Sequence, residues 1–217
     1  MRKYKEIKAG LKLPANEDGR VEIPNVSRRD LPSFFQHVGY KTGVEIGVYR
    51  ACFTRRFCAV GLKMYGIDPW MCYSDYYVDK VFTTRQELAY TDAIKNTKKF
   101  PKCTLIKKTS MEAVKDFEDE SLDFVYIDGH HGFKYVTEDI YEWSKKIRKG
   151  GCISGHDYSY PRQKKHEGKA YILQTKWVVD AYTKAFRIKK WYVLGAEKKT
   201  FEGESRDKYR SWFWFKE

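Results

Sequence analysis

Leu122-Asp123-Phe124-Val125-Tyr126-Ile127-Asp128-Gly129-His130-His131, a helical stretch, and then Gly150-Gly151-Cys152-Ile153-Ser154-Gly155-His156-Asp157-Tyr158 decide how this chain is read. Both apolar runs have the length of a buried strand, and each ends in carboxylates and imidazoles. About twenty residues separate them, enough for one crossover helix between parallel neighbours. In an open α/β sheet ligands bind beyond the carboxyl ends of the strands, so Asp128, His130, His131, His156 and Asp157 are expected to meet in one cleft. The intervening Val136, Ile140, Trp143 and Ile147 share one face of a helix, which Gly150-Gly151 is expected to end before a short strand at 152–154.

Further strands are expected at 43–46, 63–67, 104–108, 190–194 and 211–215, the last two as a closing antiparallel pair. With 122–127 and 152–154 they make seven. Helices are expected from Val48 to about Val60, over 111–117, and over 171–186, where Leu173, Trp177, Ala181 and Ala185 form the apolar stripe. Residues 1–30, punctuated by Pro14, Gly19 and Pro24, read as an irregular lead-in, and 31–217 as a single domain opening on a short helix after Asp30-Leu31-Pro32. The polar, Tyr-rich stretch 70–100, with a helix near 84–95, is longer than a simple connection needs and reads as a lid. Trp70, Tyr73, Tyr76 and Tyr77 there serve either as lid packing or as a stacking platform. Residues 159–170 read as an exposed loop, and Arg162-Gln163-Lys164-Lys165-His166 within it as solvated charge.

The chain has 217 residues, 42% hydrophobic and 17% aromatic, which argues against disorder. Its formal charge of +13 suits an acidic partner such as nucleic acid, an anionic membrane surface or a phosphorylated substrate, yet the basic residues are scattered as on a solvated surface. Cys52, Cys58, Cys72, Cys103 and Cys152 form no C-x-x-C pair and read as reduced thiols of a cytoplasmic protein. No signal peptide follows Met1, and no apolar run is long enough for a transmembrane helix.

Glu45-Ile46-Gly47 followed by a helix is a strand-loop-helix turn where glycine admits a ligand to the backbone. Asp68, about twenty residues on, ends the next strand, the place of a carboxylate that accepts from two ribose hydroxyls. Together with the segments 66–70, 121–131 and 149–158, this pattern resembles the class I S-adenosylmethionine-dependent methyltransferases, in particular methyltransferase family 24, over residues 40–215. The resemblance implies a Rossmann-like α/β fold, with a mostly parallel seven-stranded sheet and a reversed last strand. It also implies that Glu45 and Gly47 line the methionine end of the cofactor, with Val48 and Tyr49 in the same turn. Asp68 would then hold the ribose, Ser110 and Met111 would lie near the adenine, and Asp128 would border the cofactor. Ala51 departs from the pattern, because many relatives carry a second glycine there.

Asp128-x-x-His131 with His156-Asp157 is similar to metal-dependent sugar O-methyltransferases of this superfamily. That similarity implies a divalent metal on Asp128, His156 and Asp157, with His131 as the catalytic base and Asp128 beside it. His156 stands where an acidic ligand is usual, and imidazole favours manganese, iron or zinc over magnesium. His130 is also readable as a cap at the strand end. The expected activity is methyl transfer to a hydroxyl of a small molecule, a sugar or glycosylated metabolite. Three alternatives remain open: a nucleic-acid (RNA) methyltransferase, a metal-dependent hydrolase, and a binding protein without turnover.

Overall fold

A computed structural model describes residues 19–71, 80–160, 164–166, 169–171, 173–198 and 202–217. In chain order the first elements are β1 (Gly19–Ile23), a 3-10 turn (Arg28–Asp30), α1 (Leu31–His37), β2 (Thr42–Ile46), α2 (Thr54–Ala59), β3 (Lys63–Ile67), α3 (Lys80–Thr97) and β4 (Cys103–Ile106). There follow α4 (Ser110–Ala113), β5 (Leu122–Ile127), α5 (Phe133–Lys146), β6 (Ile147–Gly155), β7 (Lys164–His166), β8 (Lys169–Tyr171), α6 (Thr175–Ala185), β9 (Lys190–Leu194) and β10 (Ser211–Phe215). The main sheet has the order β1-β9-β10-β6-β5-β2-β3-β4, and β10 runs antiparallel to both of its neighbours. The remaining pairs are parallel.

Alternation along the central strands divides the core between the two sheet faces. Val44, Ile46, Val125, Ile127 and Ile153 pack with Val136, Ile140 and Trp143 of α5 and with Val178 and Val179 of α6. On the opposite face Phe124, Tyr126 and Met64 meet Phe34 and Phe35 of α1 and Phe57 of α2. Rings here are closely set, with Phe35 and Phe124 centroids 4.6 Å apart. Burial of each such side chain contributes about 1.5–3 kcal/mol.

Four expectations are corrected. The sheet has eight strands, not seven, because β1 arises inside the segment expected to be irregular: Val21 and Ile23 alternate into the core, and β1 pairs with β9 in parallel. Gly150-Gly151 does not end α5. The helix stops at Lys146, and both glycines lie within β6, where the pairing with β5 shifts register between Leu122 and Phe124. The expected stripe on α6 is out of phase: Trp177 is 50% exposed while Val178 and Val179 are buried. A β-branched pair against the sheet outweighs one large ring at the rim. Finally, β7 and β8 pair antiparallel within the stretch expected to be loop. Residues 72–79 of the expected lid, including Tyr73, Tyr76 and Tyr77, lie outside the described residues, as do Cys72 and Arg162. No described helix is long and apolar enough to cross a membrane.

Candidate active site

Strand order reverses at β2, whose neighbours are β3 on one side and β5 on the other, and a crevice opens beyond their carboxyl ends. Gly47 turns the chain there at φ +83°, and a Cβ on it would lie 2.2 Å from the Asp128 carbonyl oxygen. Only glycine lets these two turns approach so closely. Behind it Tyr49 and Ala51 also have positive φ. The turn is held by Asp68, whose carboxylate accepts from the backbone N–H of Tyr49 at 2.9 Å and of Trp70 at 2.7 Å. Trp70 closes the loop by donating its Nε1–H to the Tyr49 carbonyl at 2.7 Å. Burial pushes the Asp68 carboxyl above its usual range, and the two N–H donors oppose that.

A cavity of about 640 Å³ fills this crevice, within the range of small-molecule sites. Of the residues expected at the cofactor, Gly47, Tyr49, Asp68, Ser110, Met111 and Asp128 line it, whereas Glu45 and Val48 do not. Glu45 points to the other sheet face, where Thr54 Oγ1 donates to it at 2.5 Å and burial raises its carboxyl well above the usual range. Val48 is buried with Trp70, Ala51, Ala89 and Ala93. From the expected lid, Arg85 and Gln86 of α3 reach the cavity wall.

Asp139 escaped the sequence reading. It is 4% exposed on the inner face of α5, lines the cavity, and accepts a hydrogen bond from Ser110, which in turn accepts from Trp143 Nε1 at 2.8 Å. Position 139 falls between Val136 and Trp143 on the apolar stripe, and that was the signal available. Burial pushes its carboxyl up to about 7, with Ser110 pulling the other way. The folded state therefore holds this proton more tightly than the unfolded chain. Stability from this group is intact below about pH 4, falls by about 1 kcal/mol per pH unit, and levels off above about pH 7. Asp139→Asn is expected to remove that slope, so urea midpoints of the variant should exceed wild type at pH 8 and match it at pH 4.

The carboxylates and imidazoles meet as the strand ends imply. Asp128, His131 and Asp157 each bring a donor atom within 4.8 Å of the others, and His131 Nε2 lies 3.5 Å from Asp157 Oδ2. His156 is buried beside them, with Nδ1 at 3.2 Å from Asp157 and 3.6 Å from Asp128, and Nε2 at 3.5 Å from Asp207. Burial opposes a charge on His156, but the adjacent carboxylates outweigh it and raise its pKa well above the usual value. Asp157, at φ +60°, is brought down to about 2 against burial by His156 and His131. Arg28 reaches in from the 3-10 turn and pairs with Asp128 at 3.3 Å. His130 has a capping role: its Nδ1 accepts from the Gly132 N–H at 3.0 Å, and its ring packs on Tyr135. Neither Arg28 nor Asp207 carried a local sequence signal, since both come from connections distant in the chain.

Residues 41–158 match a methyltransferase domain family, methyltransferase family 24. A stretch of 119 residues, 53% of the chain, is 24% identical to the uncharacterized protein y4gI of Sinorhizobium fredii (strain NBRC 101917 / NGR234); the match spans 12% of that protein's length. An O-methyltransferase from Bacillus cereus, in complex with SAH, aligns at TM-score 0.58 and 13% identity, covering 98% of this chain and 87% of that one. For an rRNA methylase from Streptococcus thermophilus the values are 0.57 and 12%, over 86% and 93%. A Burkholderia thailandensis 1,6-didemethyltoxoflavin-N1-methyltransferase, with bound 1,6-didemethyltoxoflavin and S-adenosylhomocysteine, gives 0.54 and 11%, over 88% and 78%. These structures share the class I, Rossmann-like methyltransferase fold with this chain. On the family match over more than half its length, the chain belongs to methyltransferase family 24.

Proposed function

We propose that this chain transfers the methyl group of S-adenosylmethionine to a hydroxyl of a small molecule, a sugar or glycosylated metabolite, with His131 as the base. The observation that carries this reading is the position of His131: it lines the cofactor cavity and its Nε2 is paired with Asp157. The cofactor supplies an electrophilic methyl, so the protein's tasks are alignment and removal of the acceptor proton. The cradle fits it, because Gly47 admits the ligand to the backbone and Asp68 borders the cavity one strand over. His131 takes the hydroxyl proton, and Asp157 orients the ring and stabilises the imidazolium that forms. Asp128, which also lines the cavity, accepts from a second hydroxyl of a polyhydroxylated acceptor. Support for a small acceptor over nucleic acid comes from the cavity of about 640 Å³, within the range of small-molecule sites.

The divalent metal was expected on Asp128, His156 and Asp157, whereas the donor atoms that converge within 4.8 Å are those of Asp128, His131 and Asp157. Asp128 is paired with the Arg28 guanidinium, and an imidazolium at His156 sits among Asp128, Asp157 and Asp207. Arg28 thus already supplies a positive charge to Asp128. No step is therefore assigned to a metal, and turnover is expected to persist after EDTA treatment and dialysis. Activity lost to EDTA and restored by one divalent ion overturns this part of the reading.

The cofactor assignment has its own test in Asp68. Asp68→Ala is expected to weaken S-adenosylhomocysteine binding by about 1–3 kcal/mol by calorimetry, the range for hydrogen bonds to a charged acceptor. Unchanged affinity with the fold intact would remove Asp68 from the ribose.

A further inference from the structure

Buried polar groups are not met evenly along the ligand edge of the sheet. Around the first turn they pair closely, Asp68 with two N–H groups and Glu45 with Thr54. Beyond Asp157 the pattern changes. There, among the described residues, Ser159 Oγ, Thr175 Oγ1, Glu197 Oε1, Asp207 Oδ2 and Arg210 Nε are buried atoms that meet no hydrogen-bond partner. Ser159 follows β6, Thr175 opens α6, Glu197 follows β9, and Asp207 and Arg210 precede the reversed β10. All five therefore sit at the same edge as His131, and none is on the wall of the cofactor cavity. Short contacts link them to the base. Asp157 lies 3.5 Å from His131 and 3.2 Å from His156, whose Nε2 is 3.5 Å from the other oxygen of Asp207. The Tyr158 N–H donates to the Arg210 carbonyl at 3.0 Å, and Lys176, next to Thr175, donates to the Tyr158 hydroxyl at 3.2 Å.

The chemistry of the set is mixed. Arg210 Nε only gives a proton, the two carboxylate oxygens only take one, and the two hydroxyls do both. An oxyanion would meet Asp207 and Glu197, and an apolar ring would leave all five atoms unpaired. Hydroxyl groups, which give and take, answer the whole set. A buried polar atom left unpaired is costly, so a ligand that pairs it gains what the free protein forgoes. We infer that these connections form a subsite for a neutral polyhydroxylated unit of the acceptor, a second sugar ring beside the one that is methylated. This rests on the sugar reading above. With the reacting hydroxyl on His131, Asp157 and His156 stand between that ring and Asp207, so the unpaired groups are left to its neighbour. Ser159 and Thr175, 4% and 3% exposed, hold the hydroxyls of that neighbour from the β6 and α6 sides.

The test presents wild type, saturated with S-adenosylhomocysteine, to an array of neutral and acidic glycans of graded length, and titrates the retained glycans in solution. Neutral glycans of two or more rings are expected to bind about 10-fold more tightly than their one-ring parts. Ser159→Ala and Thr175→Val should each weaken the longer glycans by about 3–10-fold, with affinities for S-adenosylhomocysteine and for the one-ring parts unchanged. Ser159→Ala should melt no earlier than wild type, because it removes a buried hydroxyl that has no partner in the free protein. Longer glycans that bind both variants as tightly as wild type overturn the inference. Equal affinity for one-ring and longer glycans, or a preference for acidic ones, also overturns it and leaves methyl transfer to a sugar standing. Retention of no glycan removes the sugar reading with it.

Discussion

His131→Ala is expected to lower turnover by about 10²–10⁴-fold, the usual contribution of a positioned acid-base group, while S-adenosylhomocysteine affinity stays close to wild type. The ring projects from the turn after β5 into the cavity and is paired with Asp157 at 3.5 Å, so its removal takes away the proton acceptor and leaves the Gly47 and Asp68 turns untouched. Asp157→Asn should reproduce part of the loss, because an amide orients the imidazole but stabilises its cation poorly. Near-normal turnover of the variant across the accessible pH range makes His131 structural.

Gly47→Ala is expected to abolish cofactor binding and to lower the melting temperature as well. The new Cβ would lie 2.2 Å from the Asp128 carbonyl oxygen and 2.5 Å from the Gly129 Cα, both backbone atoms that cannot swing aside. Positive φ adds strain of its own. Together these cost about 2–6 kcal/mol, which the turn can relieve only by moving off β5 and closing the crevice. A folded variant with wild-type affinity for S-adenosylhomocysteine would show that the ligand lies elsewhere.

Much of the sheet was legible because its central strands are buried on both faces and read as short apolar runs ending in Gly, Asp or His. Asp128 and Asp157 were found by that rule alone: a carboxylate at the end of a parallel strand lies on the ligand edge wherever the strand is. Glu45, which the resemblance put at the methionine end of the cofactor, lies one residue short of the strand end, where alternation sends its side chain to Thr54 on the opposite face. β1 was missed because a five-residue strand between Gly19 and Pro24 has the local signature of a loop, and only its pairing with β9 makes it a strand. Arg28 and Asp207 were invisible for a related reason. Each is an ordinary charge in a connection, and its meaning comes from neighbours more than fifty residues away, such as Asp128 for Arg28 and His156 for Asp207.

The pairing of β1 with β9 also orders events in time. Gly19 meets Lys190 across most of the length of the chain, and the entropy of closing so long a loop must be met before the strand gains anything from its ladder. During refolding the parallel core from β2 to β6 can form from nearer contacts, while β1 can dock only after β9 has settled against β10. Arg28 follows five residues behind β1, so its pairing with Asp128 waits for the same step. A slow phase in which Trp212 and Trp214 fluorescence is already native while methyl transfer is still absent would be the kinetic trace of this last arrival.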